Sequence, residues 1–317
     1  MKPEYSRAIR LTLSEKRLWV AGLLAALALS EAWWVIYDWG PQYLGERWES
    51  AVGELMGETA AFIAFVLAAL AAFVVLKALG YLGEMILVRQ VAEESGGGVP
   101  TFSTAFSVSR NRYAQFAVTL LPYDALFIAV IYLPALVVAL WDRWDPRLDH
   151  VFLYLLVLLI WFGLFLAVYF LGGVTAALAA RFSLLRKSEL PEAWREGWEL
   201  FYRNPGKCLA VWLQALLADV IFIVIAWPLT ALVPWGVGEL ADPIGFVPLR
   251  WLMYLAAYAL LAGGLIIMQT GVMCFKSSLW TLTYLELTQE ETAKEEAMLY
   301  PQPDWFPEPP PDFMPPR

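Results

Sequence analysis

The sequence predicts an all-α integral membrane protein: six transmembrane helices in three hairpin repeats, with interfacial amphipathic helices and long cytoplasmic helix extensions. Three observations predict it. The 317 residues are 60% hydrophobic and only 16% charged, whereas a soluble domain carries about a quarter charged residues. The mean hydropathy is +0.58. Apolar runs of membrane-crossing length recur six times, and a helical span needs about 20 such residues.

The six spans are Leu18–Tyr37, Ala60–Gly80, Tyr113–Trp141, Val151–Leu171, Cys208–Ala231 and Val247–Gln269. The first is too long for a signal-peptide core and no small-residue cleavage site follows it, so it reads as a span. Pro122, Pro134 and Pro228 fall inside the third and fifth spans, where each removes a backbone donor and favours a kink. The even spans continue as helices past the bilayer, to about Glu93, Arg186 and Glu290.

Lysine and arginine distribution sets the orientation. Sixteen of the 22 lie before the first span, in the second–third and fourth–fifth connections, or on the carboxy-terminal tail; Arg47, Arg143, Arg147 and Arg250 lie opposite. Both termini are therefore expected in the cytoplasm of a bacterial cell, with the chain in the inner membrane. Cys208 and Cys274 then fall near cytoplasmic helix ends, where free thiols are expected.

Arg17, Arg110 and Arg203 recur at equal spacing, each just before an odd span. A short segment with helical apolar spacing precedes each: Tyr5, Ile9 and Leu13; Phe102 and Phe106; Trp194, Trp198 and Phe201. These read as interfacial helices with aromatic faces in the lipid. The spacing divides a membrane domain, residues 1–288, into repeats at about 1–94, 95–187 and 188–288; three unrelated hairpins would leave a similar pattern. Gly172-Gly173 and Gly263-Gly264 are expected to let helices approach closely. Leu44, Trp48, Val52 and Leu55 suggest a further amphipathic helix in the first outer loop.

The segments Arg10-Leu-Thr-Leu-Ser-Glu-Lys-Arg-Leu-Trp19, Pro191-Glu-Ala-Trp-Arg-Glu-Gly-Trp-Glu-Leu-Phe-Tyr-Arg-Asn204 and Ser277-Ser-Leu-Trp-Thr-Leu-Thr-Tyr-Leu-Glu286 carry a resemblance. The chain resembles uncharacterised bacterial six-span proteins related to the membrane domain found beside some glycerophosphodiester phosphodiesterases. The resemblance implies a fold and a membrane-integrated helper or transport role. It implies no reaction, because the metal-binding barrel of that enzyme has no counterpart here.

Ionisable groups at membrane depth are costly and mark functional sites. Glu31, Asp124 and Asp219 occupy the odd spans, and with Gln214 they form a candidate polar cavity for a cation, a proton or a lipid headgroup. Counting along the helices places these acids past the midplane, toward the outer side. Structural pairing of each acid is the competing reading. Lys77, Glu84 and Lys276 form a second candidate group, a cytoplasmic-side charge cluster; lysine snorkelling to lipid phosphates competes with it. The basic run Arg181–Lys187 reads as an inner loop that attracts anionic lipid.

No catalytic constellation is evident. His150 is the only histidine and no metal site is expected. Neither is a cofactor. The net charge of −8, without a basic stripe, argues against a nucleic-acid partner. Residues 289–317 form an acidic proline-rich tail with eight prolines and seven acidic residues. Trp305, Phe306, Pro309, Pro310 and Phe313 make it a candidate partner-binding strap, since extended polyproline docks at low entropic cost. A non-enzymatic scaffold or accessory subunit of an inner-membrane assembly, bound to membrane lipids and a protein partner, is the first functional reading. A transporter or channel-like protein for an ion, a small polar solute or a lipid is the alternative.

Overall fold

A computed structural model describes residues 3–29, 59–99, 101–144, 151–241, 243 and 246–299. Every regular element among them is helical. In chain order these are α1 (Pro3–Ser14), α2 (Lys16–Leu29), α3 (Thr59–Ser95), α4 (Phe102–Ser109), α5 (Tyr113–Trp144), α6 (Val151–Ala167), α7 (Gly173–Arg181), α8 (Leu190–Arg203), α9 (Pro205–Ala241) and α10 (Val247–Leu299). Five helical stretches are long and apolar enough to cross a membrane: Leu70–Ser95, Phe102–Val130, Leu156–Arg186, Pro205–Ala241 and Pro248–Glu290. Of the expected first span, α2 covers Lys16–Leu29; the remainder and the expected helix around Leu44–Leu55 lie outside the described residues.

Pro122, Pro134 and Pro228 are accommodated inside continuous helices. The irregularities fall instead in the fourth span, where no proline stands. A π-helical turn at Val168–Gly172 separates α6 from α7, and a second at Phe182–Arg186 ends α7. Lys187 then turns the chain with a positive φ of 64°. Such turns insert a residue into the helical ladder and are common at functional sites. The last helix exceeds its expected end: α10 reaches Leu299, so residues 289–299 of the expected tail are helical. The run from Gln289 to Leu299 contains no proline or glycine to stop it.

Burial divides the molecule along the helix axes. At one end, Met85–Val88 and Val91 of α3, Val174–Ala176 and Leu178–Ala180 of α7, and Ser277–Tyr284 of α10 are buried together with Leu200 and Phe201 of α8. Toward the other end Leu70–Val75 of α3 are exposed without interruption, as are Leu158–Ile160 and Phe162–Leu164 of α6. An unbroken exposed run covers every side of a helix, because successive residues step 100° round the axis. Over Leu70–Val75, α3 therefore stands clear of its neighbours, while other helix pairs stay in contact at that end. There, α9 meets α10 through Phe222, Ala226, Leu261 and Leu265, and Trp161 of α6 donates its indole N–H to the Val130 carbonyl of α5 at 2.7 Å.

Small residues bring α2 and α3 together. A Cβ at Gly83 would lie 2.4 Å from the Ala25 backbone nitrogen and 2.6 Å from the Ala21 carbonyl oxygen. Gly197 of α8 plays the same part against α7, where a Cβ would lie 2.9 Å from the Ala179 nitrogen. The expected close approach at Gly263-Gly264 does not occur, since nothing lies within 4 Å of a Cβ at either position. Those glycines stand on a different face of α10 from Leu261 and Leu265, which meet α9. Gly172 and Gly173 instead face the Tyr123 ring, with a Gly173 Cβ 3.2 Å from its hydroxyl oxygen.

Two of the three short amphipathic helices, α1 and α8, turn much of the side expected to face lipid onto protein, while Phe106 of α4 stays exposed. In α8, Ala193, Gly197, Leu200 and Phe201 are buried against the bundle. Phe201 packs edge-on against Phe170, and Trp194 donates its indole N–H to the Thr119 carbonyl at 3.1 Å. Only Trp198 and Tyr202 of that helix's aromatics remain exposed. In α1, Tyr5 packs edge-on against Phe275 of α10, while Leu13 is exposed. In α4, Ala105 and Ser109 are buried and Thr101 supplies a capping box. An apolar helix face seeks any apolar partner, and protein offers one as readily as lipid. Trp194→Phe keeps the ring and removes the indole donor. About 1 kcal/mol of stability should be lost, read as a lowered unfolding midpoint in detergent; an unchanged midpoint would show the bond contributes nothing.

Candidate functional site

Lys77 and Tyr81 are one turn apart on α3, so both reach the same neighbour. That neighbour is Asp124 of α5. Lys77 Nζ lies 2.9 Å from Asp124 Oδ2, and the Tyr81 hydroxyl donates to the same oxygen at 2.6 Å. Tyr113 of α5 returns a hydrogen bond to the Ala78 carbonyl at 2.8 Å, fixing the two helices in register. A second pair joins α9 to α10. Lys276 Nζ lies 3.0 and 2.7 Å from the two carboxylate oxygens of Asp219.

Glu84 continues the polar stripe of α3 one turn beyond Tyr81. Its Oε1 lies 3.7 Å from Nη1 of Arg181, on α7. Arg181 is 1% exposed. Its Nη1 also donates to the Ala177 carbonyl at 2.7 Å and its Nη2 to the Ser277 carbonyl at 3.4 Å. Its Nε, both side-chain polar atoms of Gln90, and the hydroxyls of Ser183, Ser277 and Ser278 are buried without a hydrogen-bond partner among the described residues. Three cations and three acids are thus matched one to one, as Lys77–Asp124, Arg181–Glu84 and Lys276–Asp219.

The two groups predicted separately are in fact interleaved. The sequence placed Asp124 and Asp219 in an outer cavity and Lys77, Glu84 and Lys276 in an inner cluster; direct contact puts each aspartate at the level of its lysine. Residue counting from a repeat arginine ignored where neighbouring helices begin, so it gave relative depth wrongly. Gln214 does not join the acids. It lines an apolar groove of about 370 Å³ between α1, α2, α9 and α10, with Tyr5, Trp19, Leu217, Phe222 and Met268. Glu31, Trp305, Phe306, Pro309, Pro310 and Phe313 lie outside the described residues. Arg181 is not part of a lipid-facing basic loop but points into the core. Reasoning from sequence missed Tyr81 and the inward position of Arg181. The Lys77, Tyr81, Glu84 spacing was a readable signal. For Arg181 the signal was isolation, as it is the only charge between Val174 and Leu185.

The Lys77–Asp124 pair stands where α3 passes from exposed to buried: Lys77 follows the exposed run Leu70–Val75 and precedes buried Gly80 and Gly83. Lys276 lies within a buried stretch of α10, between Met273-Cys274 and Ser277–Tyr284. In the π-helical turn at Val168–Gly172, Tyr169 and Phe170 meet Trp212 of α9 at ring-centroid distances of 5.5 and 5.0 Å. Side-chain exposures of 17% and 19% for Lys77 and Asp124, and 28% and 22% for Lys276 and Asp219, leave both pairs partly accessible. Comparison with protein-family models, curated proteins and solved structures found no match.

Proposed function

We propose that the protein is a six-span bacterial inner-membrane protein that binds and moves a lipid-like amphiphile, both termini being cytoplasmic. The polar head of the amphiphile meets the Lys77–Asp124 pair, with Asp219–Lys276 as a second polar contact, and its apolar part lies along the exposed turns of α3. One observation carries this reading: a partly accessible charge pair, Lys77–Asp124, stands where α3 passes from an exposed apolar run to a buried one. A pair of opposite charges can exchange its internal partner for a headgroup bearing either sign, which limits the desolvation penalty of opening it. The first of the six spans rests on the apolar composition of Leu18–Tyr37 in the sequence. Support for the threefold repeat comes from α1, α4 and α8, each a short helix leading directly into a longer one.

Purification in mild detergent followed by lipid and protein mass spectrometry tests the reading. One amphiphile should be enriched over its membrane abundance. Replacing both pairs neutrally, with Lys77→Gln, Asp124→Asn, Asp219→Asn and Lys276→Gln together, should lower its retention about tenfold, the equivalent of one lost charge-assisted contact. Unchanged retention in a folded variant would make the pairs purely structural. A second reading, the accessory subunit or scaffold, is favoured by the exposed turns of α3 and α6, which partner helices could cover, and by the extension of α10 to Leu299. A stoichiometric protein, lost on deleting residues 300–317, would establish that second reading instead.

A further inference from the structure

A second polar pocket lies at the packed end, away from the charge pairs, and does not rest on the reading of them. It has a volume of about 600 Å³ and is lined by Ser6, Arg7, Arg10, Leu11, Ser14 and Glu15 of α1 and its following turn, and by Glu94 near the end of α3. Small-molecule sites span roughly 300–1,000 Å³. Arg7 and Arg10 are one turn apart on α1. Neither forms an ion pair with Glu15 or Glu94, or with any other described residue. Opposite charges therefore share one pocket while standing farther apart than the 4.0 Å reach of an ion pair. Such an arrangement complements a ligand that carries both charges, separated by a few bonds.

We infer that this pocket binds a zwitterionic phosphate–amine, the phosphoethanolamine group. The phosphate faces the forked guanidinium donors of Arg7 and Arg10, which suit its oxygens. The ammonium faces Glu15 and Glu94, which accept its N–H bonds. Two features narrow the class. A phosphate lacking an amine would leave two carboxylates beside it as uncompensated like charge. A quaternary ammonium has no N–H to donate and is recognised by aromatic faces, and no aromatic side chain lines the pocket. Position favours a membrane source, because Glu94, which lines the pocket with α1, lies near the end of the apolar stretch Leu70–Ser95.

Native mass spectrometry of the full chain released from detergent tests the site, using phosphatidylethanolamine, phosphatidylcholine and phosphatidylglycerol with identical acyl chains. Phosphatidylethanolamine should be retained about fivefold or more over the other two, the effect of one charge-assisted hydrogen bond. Arg7→Gln with Arg10→Gln, and separately Glu15→Gln with Glu94→Gln, should each abolish that preference. Arg195→Gln with Glu199→Gln, on the exposed face of α8, should leave it intact. All of these positions are at least partly exposed, and circular dichroism checks that each variant is folded. Displacement by free O-phosphoethanolamine would assign the site to the soluble group; preference without displacement assigns it to the membrane lipid. Equal retention of the three lipids, or stronger retention of phosphatidylglycerol unaffected by the glutamate substitutions, overturns the inference.

Discussion

Gly83→Val should abolish the packing of α2 on α3. A Cβ at this position would fall 2.4 Å from one backbone nitrogen and 2.6 Å from a backbone oxygen, neither of which can rotate aside. The two helices would have to separate, and with them the buried Ala21, Ala25 and Ala26 that face this contact. In a membrane the loss falls on van der Waals packing, the main attraction between apolar helices. Overpacking of this kind costs about 1–3 kcal/mol even where side chains can adjust, so a backbone clash lies at or beyond the top of that range. The expected result is loss of the folded monodisperse species in detergent chromatography, or a greatly lowered unfolding temperature. Gly263→Ala is the matched control. Its Cβ meets nothing within 4 Å, so it should be neutral, or stabilising by up to about 1 kcal/mol through helix propensity. Equal behaviour of the two variants would show that the α2–α3 contact is not made as described.

Arg181→Met should be the second large effect. Removing the guanidinium leaves Glu84 without its nearest counter-charge and leaves the Ala177 and Ser277 carbonyls without a side-chain donor. Breaking a buried pair from one side costs about 3–5 kcal/mol, because the surviving charge is stranded. Removing both partners costs less. The double variant Arg181→Met with Glu84→Met should therefore recover much of the lost stability, and a double-mutant cycle on unfolding midpoints should return a coupling of roughly 1–3 kcal/mol. A strictly additive cycle would mean that the 3.7 Å contact carries no energy.

The chain announces much of its fold because a bilayer imposes simple rules. Hydrocarbon tolerates few polar groups, so apolar runs identify spanning helices, and the helices containing Lys77, Asp124, Asp219 and Lys276 were all readable in this way. The amphipathic helices α1, α4 and α8 were readable from the 3.6-residue spacing of their apolar faces. Which surface each face meets was not, since Trp194 and Phe201 would suit lipid as well as the protein they touch. The same ambiguity hid Arg181. A basic residue near the end of a span follows the usual cytoplasmic pattern, and only the approach of α3 and α10 turns it inward.

The sequence by itself determined that the chain forms helices long and apolar enough to cross a membrane, where those apolar helices lie, and which few ionisable residues are carried into them. Those properties follow from the transfer of each segment out of water, one helix at a time. The tertiary structure alone decided that Lys77 pairs with Asp124, that Lys276 pairs with Asp219, that Arg181 faces Glu84, and that α3 stands clear of its neighbours over Leu70–Val75. Those properties depend on contacts between helices far apart in the chain, such as Gly83 against Ala25 and Lys77 against Asp124. Helical periodicity fixes the face on which a residue stands; the relative rotation and spacing of two helices fix what stands opposite it.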